Sequence, residues 1–161
     1  MLLKVLSYFA AGIRLLLSSQ CRFDQSVLGS LIHMQDGRSF RVFRRVEIAG
    51  NTQPEATFVI RFQPARMSVR ANIYFSYLPM IVMLGFPGFR SKYWCVDDET
   101  GVCQGVYEWQ RVEDALSYSS SFAVNFMRRR STPGSISFNI FDHRTTTHSE
   151  IYALEAKAGG A

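Results

Sequence analysis

The most regular pattern of apolar and polar positions along the chain predicts a β-hairpin over residues 93–109. Two aromatic-rich runs flank an acidic turn that ends at Gly101, which is typical of two antiparallel strands joined by a short connection. The pattern predicts a strand and a long helical segment before this hairpin, and a second helix and strand after it. The resulting order is β-α-β-β-α-β, which favours an α+β domain with an antiparallel sheet.

Alternating apolar residues define the first strand of this domain, which begins at Ala56 and ends before Pro64. One face of the strand is expected to carry Phe58, Ile60 and Phe62. The other face is expected to carry Thr57, Val59, Arg61 and Gln63. Ser68 is a candidate N-cap for the helix that follows, which reaches about Tyr77. Pro79 then interrupts it, so residues 79–84 are expected to be a kinked continuation or a second short turn.

Apolar residues at helical spacing predict one continuous helix after the hairpin. Its first turn contains two acidic residues and its last turn three arginines, as the helix dipole favours. Pro133 and Gly134 end this helix, and residues 135–141 alternate as the last strand. The apolar face of the helix consists of Val112, Ala115, Leu116, Ser119, Phe122, Ala123, Phe126 and Met127.

This element order is that of a ferredoxin-like domain, to which we assign residues 55–141. Residues 1–50 would form an N-terminal amphipathic helix, a linker and an edge strand, and residues 142–161 a polar C-terminal tail. Helices on one side would leave the other, half-apolar face of the sheet bare. We therefore expect the same face of a second subunit to cover it and to enclose a small-molecule cavity.

The N-terminal segment has an apolar stripe at helical spacing, although Lys4 and Arg14 interrupt it. It resembles neither a signal peptide nor a bilayer span, because the charges fall inside it and it is short of ~20 apolar residues. We expect a helix that packs on the domain or its partner in a cytoplasmic protein, with attachment to a membrane surface as the alternative. The stripe consists of Leu2, Leu6, Phe9, Ile13 and Leu16.

Composition favours a homodimer and disfavours nucleic acid as a partner. Charged residues make up 19% of the 161 residues, below the roughly 25% of an average domain. Aromatic residues reach 14%, so part of the surface is expected to be buried in a partner. The net charge of +5 is spread along the chain, and its densest cluster, residues 128–130, falls where a helix should end.

The cysteines and histidines lack the spacing of a metal site or a secreted disulfide framework. Cys95 and Cys103 could face each other across the hairpin, but reduced thiols, Cys21 included, are the expectation for a cytosolic protein. His143 and His148 are expected to be solvated in the polar tail, and neither they nor His33 predict a metal or a haem. We expect no cofactor.

Three segments of the β-α-β-β-α-β unit carry a family resemblance: Phe86-Pro87-Gly88-Phe89 with Lys92-Tyr93-Trp94, then Gly105-Val106-Tyr107-Glu108-Trp109, then Arg130-Ser131-Thr132-Pro133-Gly134-Ser135. In this order they resemble the dimeric α+β-barrel superfamily, and within it the monooxygenases of the YdhR type and the antibiotic-biosynthesis monooxygenases. The resemblance covers residues 55–141 and implies a dimer and, for the monooxygenases, a cofactor-independent reaction of a deprotonated phenol or hydroquinone with oxygen.

Two polar residues on the predicted strands are the catalytic candidates. The guanidinium of Arg61 could bind an anionic or enolate oxygen, or instead form a salt bridge with Glu108 or another nearby carboxylate. Asn139 could orient oxygen or a ligand carbonyl, or instead be a solvated residue of the last strand.

Substrate-binding candidates are mostly aromatic. Trp94, Tyr107 and Trp109 could wall a pocket for a flat ligand, although aromatic residues on strands more often pack in a core or dimer interface. Tyr118 lies off the apolar helix face and could point into the cleft. Lys92 and Glu108 could be an acid–base pair or a cross-strand ion pair.

Two functions fit these residues. The first is a homodimeric, cofactor-independent monooxygenase-like enzyme that acts on an aromatic or polyketide-like small molecule. The second is a non-catalytic ligand-binding or structural dimer, with the N-terminal helix on a membrane surface as one form of it. A cavity lined by Arg61 and Asn139 would favour the enzyme. A bare sheet face filled by its own side chains, or an exposed N-terminal stripe, would favour the second function.

Overall fold

The computed structural model describes residues 2–50 and 52–157, which form one curled antiparallel sheet with helices packed against it. The helices are α1 (Leu2–Leu16), α2 (Val69–Phe75), α3 (Tyr77–Leu84), α4 (Val112–Ser119), α5 (Phe122–Arg130) and α6 (His148–Ile151). The strands are β1 (Cys21–Phe23), β2 (Leu31–Met34), β3 (Ser39–Ile48), β4 (Ala56–Phe62), β5 (Phe89–Val96), β6 (Cys103–Trp109), β7 (Ser137–Asp142) and β8 (Tyr152–Glu155).

The strand order confirms the predicted β-α-β-β-α-β unit. The sheet runs β7-β4-β6-β5-β3-β2-β8, and β1 also pairs with β3. Its β7-β4-β6-β5 part comes from the predicted unit: β4 is followed by α2 and α3, then by the β5–β6 hairpin, then by α4, α5 and β7. Both neighbours of β4 pair with it antiparallel, which is the ferredoxin-like arrangement.

Each predicted helix of this unit is divided in two. Ser68 caps α2 as expected, its side chain accepting a hydrogen bond from the Ala71 amide, and Ser76 separates α2 from α3. The single helix predicted after the hairpin was wrong, because it breaks at Ser120 and Ser121. The hydroxyl of Ser120 turns back to the carbonyls of the preceding turn, which offers the backbone an alternative to helix continuation.

The face of the sheet that packs against α3, α4 and α5 is called the inner face. Its core joins strand residues such as Phe58, Ile60 and Trp109 to helix residues such as Met83 and Tyr118. The rings of Phe58 and Tyr118 meet edge to face with their centroids 5.4 Å apart. This packing fixes the helices over β4, β5 and β6.

The opposite face, called the outer face, is filled by this chain's own side chains. Because the sheet curls, apolar residues of β2 and β3 pack against those of β4, β5 and β6, and Ile151 of α6 closes the cluster. The expectation that this face stays bare within one subunit was therefore wrong. The cluster consists of Ile32, Met34, Phe40, Val42, Val59, Tyr93, Cys95, Val106 and Ile151.

The two flanking regions extend this sheet. The predicted edge strand, β3, lies inside it, between β5 on one side and β1 and β2 on the other. The predicted linker contains β1 and β2, and the predicted C-terminal tail contains α6 and β8, which pairs with β2. These short elements carry few apolar residues each, so their pairing depends on contacts distant in sequence.

Helix α1 packs on α3 through close backbone approach at two glycines. A Cβ on Gly12 would lie 1.8 Å from the Ile81 carbonyl oxygen, and a Cβ on Gly85 would lie 1.9 Å from that of Tyr8. At the N-terminal end of the predicted stripe, Leu2 and Leu6 are exposed within the subunit. Among the helices of the described ranges, none is long and apolar enough to cross a bilayer.

Candidate functional site

A cavity of about 770 Å³ lies between the inner face of the sheet and helices α2, α3 and α5. Its walls are mainly methionine, phenylalanine and other apolar side chains from the helices, including Met80, Met83, Phe122 and Phe126. The sheet contributes the polar end of the cavity. The residues there are Lys92, Trp94, Cys103, Tyr107 and, from helix α4, Tyr118.

Lys92 is the central feature of this polar end. Its side chain is 8% exposed, and its Nζ lies 4.1 Å from the ring centroids of both Trp94 and Tyr107. Burial holds the pKa of Lys92 well below its usual range, and the nearby guanidinium of Arg44 lowers it further. Both causes favour the neutral form of the amine, and a neutral amine can accept a proton.

Arg44 places a second cation near Lys92, and of the two side chains it is the one that keeps its charge. Its guanidinium donates to the Ser76 hydroxyl over 2.7 Å and to the Ile73 carbonyl over 3.2 Å. It also lies 3.5 Å from the ring centroid of Tyr77. Arginine cannot readily lose its proton, so the repulsion between the two cations is relieved at Lys92.

Two tyrosine hydroxyls stand beside this amine. The hydroxyl of Tyr118 donates to that of Tyr107 over 3.3 Å. Burial raises the pKa of Tyr118 to about 12 and raises the pKa of Tyr107 well above its usual range. Both phenols are therefore neutral at physiological pH, and Tyr107, which accepts from Tyr118, keeps its own O–H to donate to a ligand oxygen.

The charge of the cavity lining is positive. Three arginines of the last turn of α5, residues 128–130, line the cavity. Among the described residues, no aspartate or glutamate lines it. An acidic or anionic ligand therefore suits this cavity better than a cationic one.

The structure brings together four of the predicted site residues, Lys92, Trp94, Tyr107 and Tyr118, at this cavity. Trp109 is fully buried in the core behind them, with its ring centroid 4.9 Å from that of Tyr118. The hairpin aromatics thus contribute both to the cavity wall and to the core.

The two catalytic candidates lie outside the cavity lining. Arg61 points to the outer face, where its Nε donates to Gln104 over 2.6 Å and its guanidinium pairs with Asp36. Asn139 is exposed on β7, at one end of the sheet. The carboxylate that Arg61 meets is Asp36 of the β2–β3 turn, which sequence position did not indicate.

The predicted pairing of Lys92 with Glu108 was wrong. Glu108 lies opposite Ser91 in the ladder, and Lys92 lies opposite Tyr107. Side chains alternate between faces, so this one-residue difference places Lys92 on the inner face and Glu108 on the outer face.

The same one-residue difference separates the hairpin cysteines. Cys95 pairs with Gln104, and Cys103 pairs with Val96. Both thiols are free, as is that of Cys21. Burial raises the pKa of Cys103 to about 11, so its thiol is a neutral part of the cavity wall, where it accepts a hydrogen bond from Asn72 over 3.2 Å.

Two histidines expected in a solvated tail instead meet a buried carboxylate. His143 and His148 lie against Glu108 on the outer face, on the far side of β6 from the cavity. Their five-residue spacing did not indicate a site, because Glu108 comes from a distant strand. These three residues are the one group of metal-ligating type among the described residues.

The sequence matches no protein family profile, and no curated protein matches it either. Among solved structures, an uncharacterised ferredoxin-fold protein related to antibiotic biosynthesis monooxygenases, from Listeria monocytogenes, superposes with a TM-score of 0.50 at 11% identity. That match covers 66% of this chain and 64% of the other. The chain has the ferredoxin-like fold.

An anthrone oxidase-like protein gives a TM-score of 0.48 at 12% identity, over 65% of this chain and 53% of its own. Matches of this kind therefore span less than two thirds of the length of either solved protein. At such identities the likeness concerns the ferredoxin-like fold, and the chemistry of this chain has to be argued from its own residues.

Proposed function

We propose that the cavity binds a planar apolar molecule with an ionisable hydroxyl, such as a polycyclic phenol, and that the protein is a cofactor-independent, monooxygenase-like enzyme. The observation that carries the proposal is the buried amine of Lys92, which lies between two aromatic rings at the polar end of a cavity of about 770 Å³. The likeness in fold to a protein related to antibiotic biosynthesis monooxygenases supports testing oxygen chemistry first.

The first step is a proton transfer inside the cavity. The neutral amine of Lys92 accepts the proton of the ligand hydroxyl, which leaves a phenolate beside an ammonium group. The hydroxyl of Tyr107 favours the phenolate because it can donate to the phenolate oxygen, and Tyr118 orients that hydroxyl by donating to it. The cationic arginines of the cavity lining favour an anion within the cavity.

The second step uses dioxygen from solution as the oxidant. The phenolate donates one electron to dioxygen, and the two radicals combine at the ring carbon para to the oxygen. The peroxide anion takes the proton back from Lys92, and the hydroperoxide then loses water to leave a carbonyl at that carbon. One oxygen atom enters the quinone product and the other leaves as water, so the overall reaction is phenol plus dioxygen to quinone plus water.

The test is oxygen uptake with a panel of one-, two- and three-ring phenols, with product analysis under ¹⁸O₂. We expect one labelled oxygen atom per quinone and a loss of about 10²–10⁴-fold in turnover for Lys92→Met, as for removal of a general base. Lys157→Met is the matched control, because Lys157 is exposed and does not line the cavity. Equal turnover in Lys92→Met and wild type would refute the role of Lys92.

Arg61→Ala separates this site from the one predicted from sequence. Arg61 faces Asp36 and Gln104 on the outer face, so turnover should survive this substitution. Loss of turnover in Arg61→Ala but not in Lys92→Met would place the reaction at Arg61 on the outer face instead.

A second candidate function is ligand binding without catalysis. The filled outer face and the positions of Arg61 and Asn139 favour it, because neither sequence-derived catalytic candidate lines the cavity. Quenching of tryptophan fluorescence by the phenols, abolished in a cavity-filling Met83→Trp variant, would establish binding. Saturable quenching with no oxygen uptake across the panel would favour this second function.

A second subunit and a membrane surface are the two partners that we propose for the exposed apolar residues of helix α1. A homodimer would place exposed apolar residues of α1 in an interface, and a membrane surface would bury the same residues, which include Leu3 at 83% exposure. Light scattering at micromolar concentration and co-sedimentation with lipid vesicles distinguish the two, since a monomer that pellets with vesicles would exclude the dimer.

A further inference from the structure

Three metal-ligating side chains from separate parts of the chain meet on the outer face of the sheet. Glu108 comes from β6, His143 directly follows β7, and His148 is the first residue of α6. The Nε2 atoms of His143 and His148 lie 3.5 Å and 3.3 Å from Oε2 of Glu108. The three ligand atoms all lie within 4.8 Å of one another.

The carboxylate of Glu108 has one satisfied and one unsatisfied oxygen. Its Oε1 accepts a hydrogen bond from the Thr57 hydroxyl over 2.9 Å. Its Oε2 is buried and receives no well-aligned hydrogen bond from any residue in the described ranges, although two imidazoles are near it. Glu108 is only 4% exposed, and a buried carboxylate oxygen without a partner is costly.

The other nitrogen of His143 shows which tautomer the ring adopts. Its Nδ1 lies 2.8 Å from the Pro54 carbonyl oxygen, and a carbonyl can only accept, so Nδ1 carries the proton. In the neutral ring Nε2 then keeps its lone pair on the side of Glu108 and Thr57, and the Thr57 hydroxyl, 2.7 Å away, shares its one proton between Nε2 and Glu108. An imidazole held by a backbone carbonyl in this way is the usual arrangement of a metal-ligating histidine.

We propose that Glu108, His143 and His148 bind a zinc ion. Ligands about 2.05 Å from a tetrahedral ion stand about 3.3–3.4 Å apart, whereas ligands at right angles stand about 2.9 Å apart. The two carboxylate–imidazole distances, 3.5 Å and 3.3 Å, match the tetrahedral value. The ion replaces the contact of Thr57 with His143 and leaves its contact with Glu108.

Two histidines and one carboxylate leave the fourth position of a tetrahedral ion open. The side chain of His148 is 50% exposed, so this position faces solvent and would hold a water molecule. The site lies on the opposite side of β6 from the cavity, so it is independent of the function proposed for that cavity.

Zinc at this position would fasten the C-terminal segment to the sheet. His148 begins α6, which inserts Ile151 into the outer-face cluster and leads into β8 on the edge strand β2. Because the ion joins β6, the end of β7 and α6, its binding should stabilise the docked form of residues 143–157.

Titration of the whole protein with cobalt(II), which reports tetrahedral coordination by its intense visible bands, tests the proposal. We expect these bands to saturate at one equivalent in wild type and zinc to displace the cobalt. His148→Ala, at a half-exposed position, should weaken metal binding by more than about 100-fold. Mutation of a residue that only hydrogen-bonds to a metal ligand already lowers metal affinity by about 10–100-fold. Glu108→Gln should act in the same direction.

His33→Ala is the matched control, because His33 also pairs with a carboxylate, with its Nε2 2.6 Å from Glu155. Its cobalt spectrum and affinity should equal those of wild type. Absence of the visible bands in wild type would overturn the proposal. So would equal affinity in His148→Ala and wild type, or near-ultraviolet thiolate charge-transfer bands, which would assign the ion to cysteine.

Thermal unfolding and limited proteolysis give a second readout. Zinc should raise the Tm of wild type and of His33→Ala, and should slow cleavage within residues 143–157 in both. His148→Ala should show neither effect. A zinc-dependent rise in Tm of equal size in His148→Ala would place the ion elsewhere and refute the site.

Discussion

Replacing Lys92 with methionine should stabilise the protein at neutral pH and remove part of its pH dependence. The aliphatic stem of lysine and the side chain of methionine have similar lengths, so packing between Trp94 and Tyr107 is kept while the buried amine is lost. Burial lowers the pKa of Lys92 in the folded protein, whereas in the unfolded chain the pKa is near its usual value, about 10.4. Between these two pKa values the unfolded chain binds one more proton than the folded protein.

The sign and size of the effect follow from this proton. Where the unfolded state binds more protons, the free energy of unfolding rises with pH, here by about 1.4 kcal/mol per pH unit for one proton. Wild type should therefore gain stability towards pH 10 relative to Lys92→Met. The free energy of unfolding of Lys92→Met should exceed that of wild type most at the lower end of the range between the two pKa values. The difference should fall by up to about 1.4 kcal/mol for each pH unit above it. Lys92 is only 8% exposed, so solvent screening is small.

Urea unfolding at pH 7, 8 and 9 measures the difference directly. Other buried groups, such as Cys103 and Tyr118, also titrate with raised pKa values, but they are present in both proteins and cancel in the difference. Lys157→Met should give the same pH dependence as wild type, because Lys157 is exposed. Parallel curves for wild type and Lys92→Met would show that Lys92 is charged in the folded protein, and would refute its role as a base.

Three further substitutions test other parts of the structure by urea unfolding. Tyr118→Phe should lessen the loss of stability between about pH 10 and 12, because the folded protein keeps the phenolic proton that the unfolded chain releases there; an unchanged alkaline slope would contradict the burial of this hydroxyl. Gly85→Ala should cost about 1–3 kcal/mol, since the new methyl group meets the Tyr8 carbonyl oxygen of α1, and a neutral result would mean that α1 does not dock there. Ile151→Ala should cost about 2–5 kcal/mol and speed proteolysis of the C-terminal segment, whereas unchanged stability would mean that α6 does not seal the outer face.

The elements predicted most accurately are those whose signal is local. The hairpin over residues 93–109, the N-cap at Ser68 and the four strands of the ferredoxin-like unit were confirmed. Each depends on alternation or on a cap within a few residues, which a single sequence displays directly. The break at Ser120 was missed because the apolar periodicity continues across it.

The flanking strands could not be predicted in the same way. β2 and β8 have four residues each, and their pairing joins residues more than a hundred positions apart. The polar segment around Ile151 carries a single buried apolar residue, so its periodicity contains no signal of a docked element. Without these elements the outer face was expected to need a second subunit.

The residue types of the site were easier to predict than their positions. Lys92, Trp94, Tyr107 and Tyr118 were candidates on chemical grounds, and all four line the cavity. The faces of Lys92 and Glu108 depend on register, which shifts between Phe89 and Ser91 through an irregularity in β5. Arg44 was missed as a contributor because its effect on Lys92 requires α2, whose C-terminal end holds its guanidinium.

Strand β6 keeps the two candidate chemistries apart. Its alternate residues send Tyr107 into the cavity and Glu108 to the histidines of the outer face, so neighbouring residues serve sites on opposite sides of the sheet. Glycine at position 105 leaves room for the Tyr107 and Lys92 side chains on the cavity side of β6. A Cβ there would lie 2.5 Å from the Tyr107 ring and 3.2 Å from Cε of Lys92. The buried carboxylate thus lies across the sheet from the buried amine, with its own imidazole partners. This separation keeps the carboxylate of Glu108 away from the amine of Lys92 and places it beside the imidazoles of His143 and His148.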